Sequence, residues 1–226
     1  QTCAELVGEL DRVFQQYEPL LWQDALKSDT RAYAADRVSP AVHRFFDHPL
    51  LNKISSHYVK DLQCFFTLAN RVRVVPGNLG SGGGWHRDTP WERQFKALVY
   101  LVDVGPKNGA FEYLPRSHHV SFMTRTIASC GIRLGQNRLS EEEIARIVQR
   151  TGVAPVRLTA PAGTLILTDS SGIHRGSPIE EGERYAMTNY YFEADTIKEL
   201  TAKGKFTGYF VDRSPSSAQP QTSEML

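Results

Sequence analysis

The residues best suited to chemistry are His86 and Asp88, in the run Trp85-His86-Arg87-Asp88. In an extended backbone alternate side chains share a face. An imidazole and a carboxylate two residues apart then reach one cation together, while Arg87 points the other way. A third donor must come from elsewhere, and His174, in Asp169-Ser170-Ser171-Gly172-Ile173-His174, is the candidate. Two imidazoles and one carboxylate on one face of an octahedron leave three positions open, which is the ligand set of non-haem Fe(II) oxygenases. An HxD pair alone is a weak signal, and an isolated histidine is more often structural. The combination gains weight from Arg184, at the start of the run Arg184 to Phe192. A turn at Glu181-Gly182 brings Arg184 back beside the His174 strand, where a guanidinium is suited to two-pronged binding of a carboxylate.

The elements that must position these residues follow from periodicity. Leu6, Leu10, Val13 and Phe14, extended by Tyr17, Leu20 and Leu21, recur at helical spacing. Pro49 to Tyr58 reads as a second short helix, with Asp47 as its N-cap. From Phe65 the pattern becomes that of strands: 65–68, 72–75, 97–102, 110–114, 156–159, 164–168, 173–177 and 184–192, separated by Gly, Pro and Asn turns. Gly80-Ser81-Gly82-Gly83-Gly84 is a flexible loop just ahead of His86. Ser140 and Glu143 form the capping box of one inserted helix. Residues 1–213 thus read as a single domain, mainly helical over 1–62 with a β core over 63–193, and 214–226 as a flexible Ser/Pro/Gln-rich tail. Helices followed by many short strands predict a mainly β fold with flanking helices, an antiparallel jelly roll.

Composition narrows the partners. The 226 residues are 41% hydrophobic and 23% charged, with a net charge of +1. That balance gives no reason to expect nucleic acid or an anionic membrane. No apolar run approaches the roughly 20 residues a membrane span needs. The start, Gln1-Thr2-Cys3-Ala4-Glu5, lacks the basic and apolar stretches of a signal peptide and reads as a trimmed start or a piece of a longer chain. Cys3, Cys64 and Cys130 are too few and too scattered for a disulfide framework, which predicts reduced thiols and a cytoplasmic location. The expected partner is a small molecule, with the protein a monomer or homodimer.

From Arg71 to Phe192 the chain resembles the phytanoyl-CoA dioxygenase family of Fe(II)/2-oxoglutarate-dependent oxygenases. The resemblance rests on WHRD at 85–88, KNGAFEYLPRSHH at 107–119 and APAGTLILTDSSGIHRGSPIEEGERYAMTNYYF at 160–192, in that order. It implies a double-stranded β-helix (jelly roll, cupin-like) with the metal at its mouth. It implies His86, Asp88 and His174 as ligands of Fe(II), and Arg184 as the grip on the distal carboxylate of the co-substrate 2-oxoglutarate, with Ser177 assisting and O2 as oxidant. Tyr100 and Leu98 share a face of the strand after the HxD pair and are candidates to line the 2-oxoglutarate pocket, with core packing as the alternative. Arg116 stands where the family has glycine, so a different turn is expected there. The N-terminal helices match nothing specific.

The activity implied is hydroxylation of an unactivated C–H bond of a small-molecule metabolite, with release of succinate and CO2. Related halogenases drop the carboxylate ligand to admit chloride, so Asp88 favours hydroxylation over halogenation; desaturation, epimerisation and ring formation stay open. Trp85, Arg87, Thr89, Trp91 and Arg175 flank the ligands and are candidates for substrate contact, with core or surface roles as the alternative. A small polar, sugar-like or natural-product intermediate is expected over a fatty acyl thioester, because no CoA-sized basic patch is evident. Two other readings stand beside this one. A cupin-like isomerase or hydrolase would use the metal with a bound water and give Arg184 no role. A catalytically silent 2-oxoglutarate-binding protein would be expected to have lost a ligand.

Overall fold

The computed structural model describes residues 2–89 and 92–213. Trp91 and the tail at 214–226 lie outside them. Thr2 opens the first helix, α1 (Cys3–Gln16), with a reciprocal capping box: its hydroxyl accepts from the Glu5 amide and its amide donates to the Glu5 carboxylate. The apolar stripe runs on through Leu20, but in a 3-10 turn (Glu18–Leu20), because a residue ahead of proline disfavours the α conformation. The helix expected at Pro49–Tyr58 is present as α3, capped by His48 rather than Asp47. Asp47 instead closes a helix the periodicity did not disclose, α2 (Pro40–Phe46), which begins at Ser39 with Pro40 in its first turn.

The N-terminal part is not only helical. Two strands, β1 (Trp22–Gln23) and β2 (Asp29–Ala32), belong to the larger sheet. All four residues of β2 are buried, charged Asp29 and Arg31 included, so no alternation betrays it. The other strands are β3 (Leu62–Arg73), β4 (Phe95–Tyr100), β5 (Phe111–Tyr113), β6 (Val156–Leu158), β7 (Leu165–Asp169), β8 (His174–Gly176) and β9 (Glu183–Glu193). Between β5 and β6 there are two helices where one was expected, α4 (Val120–Cys130) and α5 (Glu141–Thr151). The Ser140–Glu143 capping box announces α5, whereas the N-cap of α4, His119, makes no side-chain capping bond. A final helix, α6 (Ala194–Ala202), also unexpected, buries no residue and so carries little apolar periodicity.

The strands form two antiparallel sheets, ordered β1-β2-β3-β9-β4-β7 and β6-β5-β8. The protein is mainly β with flanking helices, a two-sheet jelly roll. β9 is buried along most of its length because both faces of the large sheet are covered. Outward-facing Tyr185 and Met187 pack with Leu10, Val13 and Phe14 of α1, and Tyr191 packs with Leu51 of α3. Burying a large apolar side chain contributes about 1.5–3 kcal/mol, so the α1 stripe fixes that helix on the sheet. Arg184, Ala186, Thr188 and Tyr190 alternate with these and face the space between the sheets. Strand register extends that inner face into rows: Phe66, Tyr190, Lys96 and Thr168 in one, and Leu68, Thr188, Leu98 and Ile166 in the next. Beyond the small sheet, Trp85, Leu114 and Ile173 pack with Met123 of α4 and Ile144 and Ile147 of α5.

Arg116 has φ +71°, in the left-handed region where glycine is at ease. The turn expected to differ therefore keeps a conformation glycine would adopt, with an arginine carrying its strain.

Candidate metal centre

His86 and His174 stand directly opposite each other on two extended segments. Each amide donates to the other's carbonyl at 2.9 Å, and the Asp88 amide donates to the Ser170 carbonyl at 3.0 Å. Two residues further along the chain, Asp88 therefore returns to the same face as His86. The imidazole centroids are 4.4 Å apart. Oδ1 of Asp88 lies 3.5 Å from Nε2 of His86, and Oδ2 lies 3.7 Å from Nε2 of His174. The three donor atoms lie within 4.8 Å of one another, so small side-chain movements bring them round one cation at metal–ligand bonds of about 2 Å.

Nδ1 of His86 donates to the Gly84 carbonyl at 2.8 Å, and Nδ1 of His174 donates to the Gly172 carbonyl at 2.9 Å. A carbonyl only accepts, so each Nδ1 carries the proton and each Nε2 presents a lone pair to the shared point. Burial, reinforced by neighbouring His86, pushes the His174 imidazole down to about 3, which keeps it in the neutral, ligating form. Burial alone would raise the Asp88 carboxyl. The Lys96 ammonium and the two imidazoles outweigh it and hold that carboxyl well below the usual range. Lys96 contacts Oδ2 as an ion pair, yet both Asp88 oxygens are buried without a well-formed hydrogen bond. A buried ionised carboxylate so under-satisfied is costly. A divalent cation completes it, and two imidazoles with one carboxylate suit a first-row transition metal.

Arg184 lines the same cavity as the three donors. It is buried, donates through Nη1 to the Gly109 carbonyl, and leaves Nε without a partner. The space beside it depends on Gly176: a Cβ there would lie 3.1 Å from Nη1 of Arg184 and 2.9 Å from Cβ of Ser81. Leu98 lines this cavity. Tyr100 does not reach its wall; its hydroxyl accepts from the Phe111 amide at 2.8 Å and donates to the Leu158 carbonyl at 3.0 Å. Ser177 is buried, its hydroxyl unpaired, and is also absent from the wall.

The residues flanking the ligands face away from the cavity, because they alternate with them. Trp85 is in the core under α4 and α5 and donates to Glu141. Arg175 stacks on Trp85 and pairs with Glu112 and Glu141. Arg87 is buried and donates to the Ser171 carbonyl, and the Thr89 hydroxyl accepts from the Glu92 amide. The site does contain two cations that sequence reasoning missed. Lys96 lies two residues before Leu98 on the same face of β4, a step the alternation would have supported. Arg31 comes from undetected β2; it lines the cavity and is paired with Asp29 at 2.7 Å.

Residues 1–182 match the phytanoyl-CoA dioxygenase (PhyH) family. The chain belongs to this family. PhyH enzymes are Fe/2-oxoglutarate-dependent. The match takes in the N-terminal helices, which the motifs alone had left unconnected, and ends just short of Arg184. No curated protein matches the chain. Among solved structures it is similar to the epimerase SnoN in complex with Fe3+, alpha ketoglutarate and nogalamycin RO, with TM-score 0.63 and 18% identity over 85% of this chain and 74% of that one. It is also similar to EctD from S. alaskensis with bound Fe (TM-score 0.60, 18% identity, 85% and 69% covered). The carbocyclase SnoK from nogalamycin biosynthesis is a third relative (TM-score 0.59, 14% identity, 85% and 75% covered). At such identities the likeness is one of fold.

Proposed function

We propose that this protein binds Fe(II) through His86, Asp88 and His174 and hydroxylates an unactivated C–H bond of a small molecule, consuming 2-oxoglutarate and O2. The observation that carries this reading is the convergence of the three donors with Arg184 in one buried cavity. Bound iron would supply the dioxygen chemistry, coupling decarboxylation of 2-oxoglutarate to succinate and CO2 with oxidation of the substrate. The chain's part is to hold and orient. The two Nδ1 hydrogen bonds lock the imidazoles in ligating tautomers. Arg184, in a dry environment with an unspent donor, pairs with the far carboxylate of 2-oxoglutarate and sets its reach towards the metal ligands. This use of Arg184 favours a 2-oxoglutarate enzyme over a hydrolase or isomerase employing the same three ligands.

SnoN is an epimerase and SnoK a carbocyclase, and product analysis separates such outcomes from hydroxylation. A hydroxylated product gains one oxygen atom, an epimer keeps its mass and a new ring loses two hydrogens. The primary test is anaerobic binding of Mn(II) and 2-oxoglutarate, followed by succinate formation with Fe(II) in air. Arg184→Met should weaken 2-oxoglutarate binding about a hundredfold, or about 2.7 kcal/mol, and leave Mn(II) affinity unchanged. His174→Ala should abolish Fe(II)-dependent succinate formation. Equal 2-oxoglutarate affinity in wild type and Arg184→Met would overturn the assignment of Arg184, and succinate formation by His174→Ala that of the metal site.

A further inference from the structure

The metal chamber is walled on one side by Phe111 and Thr168, and the same two residues wall a second, larger cavity of about 490 Å3. The second cavity lies in the gap between edge strands β6 and β7. Its wall on the small sheet is Phe111, Tyr113, Val156 and Leu158, which the β5–β6 register sets in facing pairs on one face. Ile166 of β7 faces them from the large sheet. Val156 and Leu167 are 45% and 43% exposed, so the gap opens to solvent at its outer end. At its inner end the Phe111 ring lies 5.5 Å, centroid to centroid, from the ring of His174. Thr168 is the strand partner of Lys96, the residue in contact with Asp88. The cavity therefore reaches from solvent to the Phe111 and Thr168 wall that it shares with the chamber lined by His86, Asp88 and His174.

Apart from the Thr168 hydroxyl, the hydroxyl and carboxylate groups in this cavity already hold hydrogen bonds. The Tyr58 hydroxyl donates to Oδ2 of Asp169 at 2.6 Å, and Oδ1 accepts from the Gln94 and Ser171 amides and the Ser171 hydroxyl. The Tyr113 hydroxyl donates to the Asp169 carbonyl at 3.0 Å and meets Nδ1 of His118 at 3.1 Å. Among the described residues no lysine or arginine lines the cavity, and the Arg93 guanidinium lies against its wall, 5.7 Å over the Tyr58 ring. The Thr168 hydroxyl, at the seam with the metal chamber, makes no hydrogen bond among the described residues. A volume inside the roughly 300–1,000 Å3 of ordinary ligand pockets, walled by aromatic and branched side chains, suits a rigid apolar body.

We propose that the β6–β7 gap is the substrate chamber and that it takes an uncharged, ring-bearing apolar molecule, whose inner end is presented past Phe111 and Thr168 to the metal donors. This rests on the oxygenase reading and names its substrate class. Among the described residues sugars and small charged metabolites find few unspent partners here, and of the intermediates suggested by sequence the natural-product kind with an apolar ring system fits best.

The test uses the full chain loaded with Mn(II) and 2-oxoglutarate, with 2-naphthol as a two-ring uncharged probe, titrated by calorimetry. Wild type should bind the probe. Val156→Trp, at the exposed rim where a large side chain leaves the core untouched, should weaken probe binding about tenfold or more without altering Mn(II) or 2-oxoglutarate binding. Leu158→Ala should enlarge the chamber and admit the three-ring 2-anthrol better than wild type does. Undiminished probe binding by Val156→Trp, or a wild type that binds 2-oxoglutarate but prefers glucose or 2-naphthoate to 2-naphthol, would overturn the chamber. Failure of wild type to bind 2-oxoglutarate would overturn the oxygenase reading itself, and that outcome is read from a separate titration.

Discussion

The ammonium of Lys96 rests against Oδ2 of Asp88, and both side chains are buried, 8% and 2% exposed. The strand register places Lys96 there, between Tyr190 and Thr168, and its ammonium lies 3.9 Å from the centroid of the Tyr190 ring. The carboxylate read as a metal ligand thus has a resident cation at one oxygen, and a divalent ion must share it. The pair holds the site together before metal arrives and opposes the metal when it does.

Lys96→Met should therefore tighten Mn(II) binding. The ammonium and a divalent cation on one carboxylate repel each other. At an effective dielectric near 20, two unit charges about 4 Å apart interact by roughly 4 kcal/mol, and only part of that survives relaxation of a flexible lysine. A gain of about tenfold in affinity, or about 1.4 kcal/mol, is expected by calorimetry. An unchanged or weaker affinity would mean that Lys96 supports the metal site instead of competing for it.

Asp88→Ala should destabilise the metal-free protein as well as abolish metal binding. It strands a buried ammonium, and breaking a buried pair from one side typically costs about 3–5 kcal/mol. Adding Lys96→Met should restore most of that loss. Urea unfolding in the presence of chelator measures all four corners of the double-mutant cycle. An Asp88→Ala protein as stable as wild type would show that the pair is not buried in solution.

Gly82→Ala isolates the loop's role. Gly82 has φ +88°, and a Cβ there would lie 2.3 Å from Cε1 of His86. The new methyl group must displace the imidazole or unwind the loop, and the left-handed backbone adds about 1–2 kcal/mol of strain for any residue with a Cβ. Mn(II) affinity should fall at least tenfold, while the rest of the fold, seen by circular dichroism, is retained. Gly77→Ala, on the same connection but apart from the hydrogen bond that holds His86, is the control. It shares the positive φ but has nothing within 4 Å of its Cβ, so it should lose stability without a comparable loss of metal. Equal metal affinities in the two variants would detach Gly82 from the placement of His86.

How much of this was legible beforehand depended on whether a residue's signal was local. His86 and Asp88 were readable because alternation fixes their common face. The Ser140–Glu143 box announced α5 because its two partners are three residues apart. Gly182 marked the turn before β9, but β8 and β9 lie in different sheets, so Arg184 meets the His174 strand across the gap at Gly176 and not as its strand neighbour. β2 was not readable, since a four-residue strand buried on both faces has no alternation, and its two charges argued for a loop. With it went Arg31. Lys96 was passed over for a different reason: a lysine in an apolar strand reads as a solvent-facing interruption unless its partner, Asp88, is already known to sit across the gap between the sheets. Arg116 shows the opposite error. Its identity argued for a changed turn, whereas the surrounding chain imposes the left-handed conformation on whatever residue stands there.

The last prediction concerns Tyr33, which ties β2 to the C-terminal aromatic cluster. Its ring packs 5.8 Å from Phe66 and 5.9 Å from Tyr209, and its hydroxyl accepts from Arg31 at 3.3 Å. Burial pushes this phenol up to about 12, with Arg31 opposing the rise. A folded-state value above the unfolded value of about 10 means that the folded protein keeps a proton the unfolded chain has released. The contribution is complete below pH 10 and is lost as pH climbs from about 10 to about 12, amounting to about 2–3 kcal/mol across that window. Tyr33→Phe keeps the ring and removes the titrating group. It should lose only about 1 kcal/mol at neutral pH, the worth of one hydrogen bond, and then fall less steeply than wild type above pH 10. Some slope will remain, because Tyr58, Tyr113, Tyr185 and Tyr191 are raised by burial as well. Urea unfolding at intervals from pH 8 to the alkaline limit reads the difference, and parallel curves for the two proteins would show that Tyr33 is not shielded from solvent.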